Sequence, residues 1–435
     1  MSAKLRNRVL QPVFTAALGA ILSILPLAPL AAQEPARGVD AEKVREAIAK
    51  GVRYLQSQQS RTVGSWEEWP SQPGGTTALC TLALLSAGVE PEHPSIQKAL
   101  AYLRKIGEPE RVYATSLQTM VFCLAEPEKD LLLIRRNVGW LERAQVKGGE
   151  WRGSWSYVAG SDRGDNSNTQ FALLALHEAD RVGVEVNEGT WRSALAHFLR
   201  STSDGAWYYD ADRRVLSGSI TSAGIACTII AAEKLPDFQG EAKLQGDTVV
   251  CCGDTNADAD SARRAIEEGL LWLGNHFSVY RNPSTLDGGR SALSTTYILY
   301  YLYALERVGR LTGNRFIQGT RRRYDWYREG AEMLVNTAQD PLSGQFKGVG
   351  HSEDQPVIAT SLALLFLSKG RRPVVLARLN WGAQEDWNRH RRGIQEITRY
   401  TEKRWKRDLA WQTIKPEVAD ADEMKETPVW FTYGG

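Results

Sequence analysis

The sequence predicts an all-α protein, an (α/α)6 toroid of six helix-pair repeats, followed by a short partial α/β segment. Three observations predict it. A unit of helix, polar bend and Gly-X-aromatic turn recurs along the chain. Each unit pairs a helix that is apolar on one face with a helix that is apolar all round. A helix without a polar face must be covered on every side, so the second kind suits an inner ring and the first an outer ring.

The chain opens with Lys4, Arg6 and Arg8, an apolar run from Val13 to Leu25, Pro26, and then Leu30-Ala31-Ala32. This basic, apolar and small-residue layout is that of a cleaved secretory signal over residues 1–32. The run is about 13 residues, short for a spanning helix. Export to the periplasm or cell envelope follows, with an uncleaved anchor as the alternative.

The first repeat carries Lys50-Gly51, Tyr54-Leu55, Gln59 and Gly64-Ser65-Trp66. The second keeps only its helix, with Lys98, Tyr102 and Leu103. The third has Gly139-Trp140-Leu141, Gln145 and Gly149-Glu150-Trp151, with Gly153-Ser154-Trp155 just after. The fourth has His197-Phe198-Leu199 and Gly205-Ala206-Trp207. Gly269, Trp272 and Leu273 mark the fifth, and Gly330, Met333-Leu334 and Gly344-Gln345-Phe346 the sixth. Val44, Ile48, Val52 and Leu55 make a one-sided outer helix. The runs 77–85, 169–176, 223–232, 296–305 and 360–367 are the fully apolar inner helices. Each turn Trp should close an outer-to-inner bend, and each Gln should bond backbone groups the bend leaves open. The toroid is placed over residues 39–370.

After Gly370 the pattern changes. Val374–Trp381 reads as a strand, Glu385–Trp405 as a basic helix, and Leu409–Ile414 and Pro428–Tyr433 as further strands. Residues 373–435 are too few for a closed doubly wound domain, so the α/β tail reads as truncated. Its Arg389, Arg391, Arg392, Lys403, Arg404, Lys406 and Arg407 are a solvated helix face more readily than an anion site.

Net charge is +2, which gives no argument for a polyanionic partner, so no nucleic acid is expected. Five cysteines exclude a disulfide scaffold. Cys80, Cys123 and Cys227 sit in apolar runs and read as core. Cys251 and Cys252 are adjacent in a polar loop, open to a vicinal disulfide, pairing with other chains or metal.

These residues resemble a known family. Lys/Arg-Gly, an aromatic-Leu pair, Gln and Gly-X-Trp at this spacing, nearly complete over Lys50–Trp66, are similar to the repeat of squalene and oxidosqualene cyclases. They are more loosely similar to protein prenyltransferase β subunits. The tail from Leu379-Asn380-Trp381 to Trp405-Lys406-Arg407 resembles the start of a bacterial domain of unknown function. The resemblance implies the toroid, but one fold hosts unrelated chemistry. The cyclases protonate an alkene with an Asp in Asp-X-Asp-Asp-Thr. Here the matching stretch is Asp165-Asn166-Ser167-Asn168-Thr169, with Ser167 at the donor position, and a hydroxyl is far too weak an acid. Asp258-Ala259-Asp260 and Asp210-Ala211-Asp212 open no buried helix, and Asp260 reads as a helix cap. Of the prenyltransferase zinc set only Cys80 has a match. Ala78 stands where the Asp would be, and Ser294-Thr295-Thr296-Tyr297 lacks the His. No metal and no cofactor are implied.

The remaining candidates lie where inner helices begin. They are Trp155, Tyr157, Asp165, Asn166 and Asn168, then Trp207, Tyr208 and Tyr209, and finally His351 and Asp354. Ser219, Thr221, Glu353 and Gln355 lie beside them. Aromatic walls with a few polar groups suit a ligand cleft. The expected function is an exported toroid that binds a hydrophobic small molecule or a protein. The alternative is an enzyme acting on an isoprenoid or other hydrophobic substrate with non-standard residues. A glycan-processing toroid would need Asp165 with Glu353 or Asp354 as paired carboxylates. Peripheral membrane contact and oligomeric state stay open.

Overall fold

The first outer helix, α1 (Ala41–Gln58), starts where the Asp40 carboxylate accepts from Lys43 N, and it buries Val44, Ala47, Ile48, Gly51 and Leu55 along one face. In this computed structural model, residues 39–435 are described apart from 211, 213, 239–242, 246–247, 251–256, 285–295, 372–373, 382–392, 406–408, 415–428 and 432–435. The signal segment and Cys251 and Cys252 therefore lie outside the described residues.

Helices alternate as the pattern requires. The outer ones are α1, α3 (Pro94–Leu103), α5 (Leu131–Ala144), α7 (Glu188–Arg200), α9 (Ala257–Asn275) and α11 (Trp326–Met333). The inner ones are α2 (Gly75–Ser86), α4 (Val112–Ala125), α6 (Asn166–Arg181), α8 (Gly218–Glu233), α10 (Ile298–Thr312) and α12 (Pro356–Leu367). Consecutive inner helices pack on each other, and α12 returns to pack on α2 and α1. This is an α/α toroid. The apolar runs on the inner helices form one continuous core. Cys80, Cys123 and Cys227 are buried free thiols within it.

The repeat residues are the joints. The indole Nε1 of Trp66, Trp155 and Trp207 donates to Leu55 O, Leu141 O and Phe198 O near the end of its own outer helix, at 2.8, 2.7 and 2.9 Å. The backbone N of the same position donates to a Thr hydroxyl on the inner helix, from Trp66 to Thr77, Trp155 to Thr169, Trp207 to Thr221 and Phe346 to Thr360. The Gln amide bridges repeats. Gln59 donates to Gly64 O and to Ser95 O of α3; Gln145 to Gly153 O and Thr190 O of α7; Gln339 to Gly344 O and Ala47 O of α1. The last of these closes the ring. The turn Gly is needed for approach as well as for its positive φ. A Cβ on Gly153 (φ 95°) would lie 2.0 Å from Ser193 O of α7, and one on Gly344 2.7 Å from Lys50 O of α1.

Two points are settled and one expectation changes. The turn of the third repeat is Gly153-Ser154-Trp155, because Gln145 bonds Gly153 rather than Gly149. The second inner helix, undelimited in the sequence, is Val112–Ala125. Asp260 is not a cap: it lies inside α9 and pairs with Arg263 at 3.0 Å.

In the tail, strands Ala410–Ile414, Val374–Leu379 and Val429–Phe431 form a parallel sheet in that spatial order, with α13 (Gly393–Trp405) against it. It seats on the far ends of the inner helices. Gln395 Nε2 donates to Glu233 Oε1, and Thr413 N to Gly313 O. Among the described residues no helix is long and apolar enough to cross a membrane.

Candidate functional site

The inner helices all begin at one mouth, and the first turns of the six line a cavity of 720 Å³. Thr76, Tyr113, Ser167, Ser219, Tyr300 and Ile358 supply one residue from each helix. Three or four residues further along, Leu79, Leu117, Phe171 and Leu362 line the next turn down. A residue and its i+4 neighbour share a helix face, so the wall is layered, with a hydroxyl-rich belt above an apolar floor. Loops add Trp69, Tyr157, Tyr209, Tyr297 and His351 at the rim.

The belt is wired. Tyr113 OH donates to Ser167 Oγ at 2.7 Å, Ser167 Oγ donates to Tyr300 OH at 2.9 Å, and Tyr300 OH donates to Gln170 Oε1. Aromatic contacts hold the two phenols: Tyr113 meets Phe171 edge-on at 5.0 Å, and Phe171 stacks on Tyr300 at 6.2 Å. Burial pushes both phenol pKa values up, so both stay protonated as hydrogen-bond donors.

Carboxylates cap several of these helix starts. Glu68 accepts from Thr76 N of α2, and its pKa is raised by burial. Asp165 accepts from Ser167 N and Asn168 N of α6, and from the Asn168 amide. Glu353 accepts from Leu299 N and Tyr300 N of α10. Burial lifts Asp165 to about 6 and Glu353 to about 7 against these hydrogen bonds. Glu353 is 1% exposed yet forms part of the cavity wall. Beside it Tyr297 and His351, both with left-handed backbone (φ 59° and 47°), stack at 5.2 Å.

The sequence-derived candidates divide. Tyr157, Tyr209 and His351 line the cavity. Tyr157 and Tyr209 face each other at 3.4 Å between hydroxyls. Trp155 and Trp207 are fully buried joints that do not line it. Trp207 was expected nearer the mouth, but Thr221 and Phe198 hold it in the same joint as Trp155. Tyr208 is buried behind the wall. Asp165 and Asn168 form a cap, and Asn166 bridges His197 Nε2 and Tyr208 O. Asp354 is exposed and does not line the cavity. The sequence reading missed Tyr113, Phe171 and Tyr300 and treated Ser167 only as a loss. Their places on the first and second turns of inner helices are a partial signal, which does not say that they meet.

Among the described residues no group of three His, Cys, Asp or Glu side chains could hold a metal ion. Cys80 packs against Ser361 Oγ, and burial raises its thiol to about 12, so it stands in the core as a neutral thiol.

No family model matches the chain, and no curated protein matches it. Solved structures do. A D-mannose isomerase is similar at TM-score 0.50 and 9% identity, over 76% of this chain and 98% of its own. An inactive variant of an alpha-1,6-mannanase of Salegentibacter sp. HEL1_6, in complex with alpha-1,6-mannotriose, is similar at 0.48 and 10%, over 75% and 98%. The type II terpene cyclase MstE from Scytonema is similar at 0.45 and 13%, over 76% and 99%. At 9% identity the likeness to the isomerase speaks for the fold alone, and one fold hosts unrelated chemistry.

Proposed function

We propose that the protein is an exported binding toroid that takes an apolar small molecule through its mouth. One observation carries this reading: the cavity of 720 Å³ has an apolar floor and aromatic walls, and Ser167 stands in it where a cyclase would hold its proton donor. Its size is that of ordinary small-molecule sites. Ser167 is engaged by two phenols and is no acid. Export rests on the basic and apolar layout of residues 1–32.

The test uses the hydrocarbon dye diphenylhexatriene. It should bind saturably at one site per chain, with fluorescence rising on transfer from water. Leu117→Trp, which fills the floor, should abolish that binding while the protein stays folded by circular dichroism. Unchanged dye binding in the filled variant defeats the proposal.

A second reading, an enzyme acting on a hydrophobic substrate, is favoured by Glu353 alone. It is a wall carboxyl that carries a proton up to about pH 7. Incubation with squalene should yield no cyclic product by mass spectrometry. A cyclic product lost in Glu353→Gln would install the second reading.

A further inference from the structure

The belt has a polarity of its own. Tyr113, Ser167 and Tyr300 come from three different inner helices, and their hydroxyls form a single chain that ends on Gln170 Oε1. Each hydroxyl has one proton, so the direction of the chain is set at its end. Two atoms are left over. Among the described residues nothing donates to the oxygen of Tyr113, a residue that lines the cavity. At the other end Gln170 Nε2 is buried without a partner, on a residue that is 0% exposed. An unpaired buried amide is costly. Turning the Gln170 amide lets Nε2 donate to Tyr300 and reverses every bond in the chain. Tyr113 then offers a proton instead of a lone pair. The relay therefore suits either a ligand hydroxyl or a ligand carbonyl.

Charge narrows the ligand further. Among the described residues no Lys or Arg lines the cavity, and its ionisable lining groups are Asp210, Glu353, His351 and tyrosines. Among the described residues a phosphate or carboxylate head would meet no Lys or Arg there, beside two carboxyl groups, and would lose its hydration. An apolar floor below the belt receives the body of the molecule.

We propose that Tyr113, Ser167 and Tyr300 are the specificity-determining residues of this cavity, and that its ligand is a neutral amphiphile with an apolar body and one alcohol or carbonyl oxygen held at the belt. This rests on the binding reading above and adds the head group and its partners.

Displacement of bound diphenylhexatriene tests it. The competitors are decanol, decanal and decanoate at pH 8, against the wild-type protein, Tyr113→Phe and Ser167→Ala. Decanol and decanal should displace the dye at about tenfold lower concentration than decanoate, because a charged head loses its water without replacement. The ratio of decanol affinity to dye affinity should fall about fivefold in each variant, the size of one neutral hydrogen bond. Tyr113→Phe keeps the ring against Phe171, so its thermal midpoint should stay near that of the wild type. Equal displacement by decanol and decanoate overturns the proposal and leaves the binding reading standing. So does a decanol-to-dye ratio that neither variant alters. If the dye itself fails to bind the wild-type protein, both readings fall.

Discussion

Trp155 and Tyr157 stand two residues apart, as do Trp207 and Tyr209, and the members of each pair do different work. The tryptophans are 0% exposed and donate their indole N–H to a fixed backbone carbonyl. Tyr157 is 45% exposed, and among the described residues its hydroxyl meets that of Tyr209. The chain passes from joint to mouth within two residues. A hydrogen bond to the backbone of the outer helix of its own repeat fixes an aromatic ring as architecture. A hydroxyl whose partner is another rim hydroxyl leaves the ring available to a ligand.

The contrast predicts a steep order of effects. Trp66→Ala, Trp155→Ala and Trp207→Ala should each cost about 3–5 kcal/mol, the range for removing a large buried ring. Urea midpoints decide this, and a near-wild-type midpoint for Trp207→Ala would return that residue to the mouth. Glu353 lies between the two classes, being both cap and wall. Its folded pKa of about 7 exceeds the ordinary 4.5. A raised carboxyl binds its proton more tightly when folded, so its ionisation costs stability as pH rises. The cost begins near pH 4.5 and is complete above about pH 7, on the order of 3 kcal/mol. Glu353→Gln should therefore be relatively more stable at pH 8 than at pH 4, compared with wild type across the same series. A flat difference would show that the carboxyl keeps ordinary solvation. Gln145→Ala strips partners from two buried carbonyls, Gly153 O and Thr190 O, and should cost about 1–3 kcal/mol. Tyr157→Phe and Tyr209→Phe should stay within about 0.5 kcal/mol of wild type.

The joints were legible because their signals are local. Gly51, Gln59, Gly64 and Trp66 fall within one short stretch, and the chemistry of a positive-φ turn and a buried indole requires those residue types. Trp207 was misjudged because two tyrosines follow it, and composition does not say which ring the neighbouring repeat will cover. The belt was not legible for a related reason. Ser167 meets Tyr113 across 54 residues and Tyr300 across 133, and nothing in either segment marks the meeting. Helix periodicity gives the face of each residue but not the ring angle of its helix. The caps fell in between. Asp165 sits beside the helix it caps, whereas Glu353 caps α10 from 53 and 54 residues downstream.

The Gln339 amide that reaches Ala47 spans 292 residues. Seen as an event in time, this contact cannot form until nearly the whole ring has been made. Until then α1 and α2 emerge with a flank that α12, the helical turn Leu334–Ala338 and the Gly344 turn will cover. Ribosomal synthesis proceeds at about 5–20 residues per second, so that apolar flank stays bare for tens of seconds at the slower rate. Long-range closure of this kind delays folding more than it weakens the final state. The first repeat therefore waits for the sixth, and a chain halted before Gly344 should be a target for chaperones and proteases even with five of its six helix pairs complete.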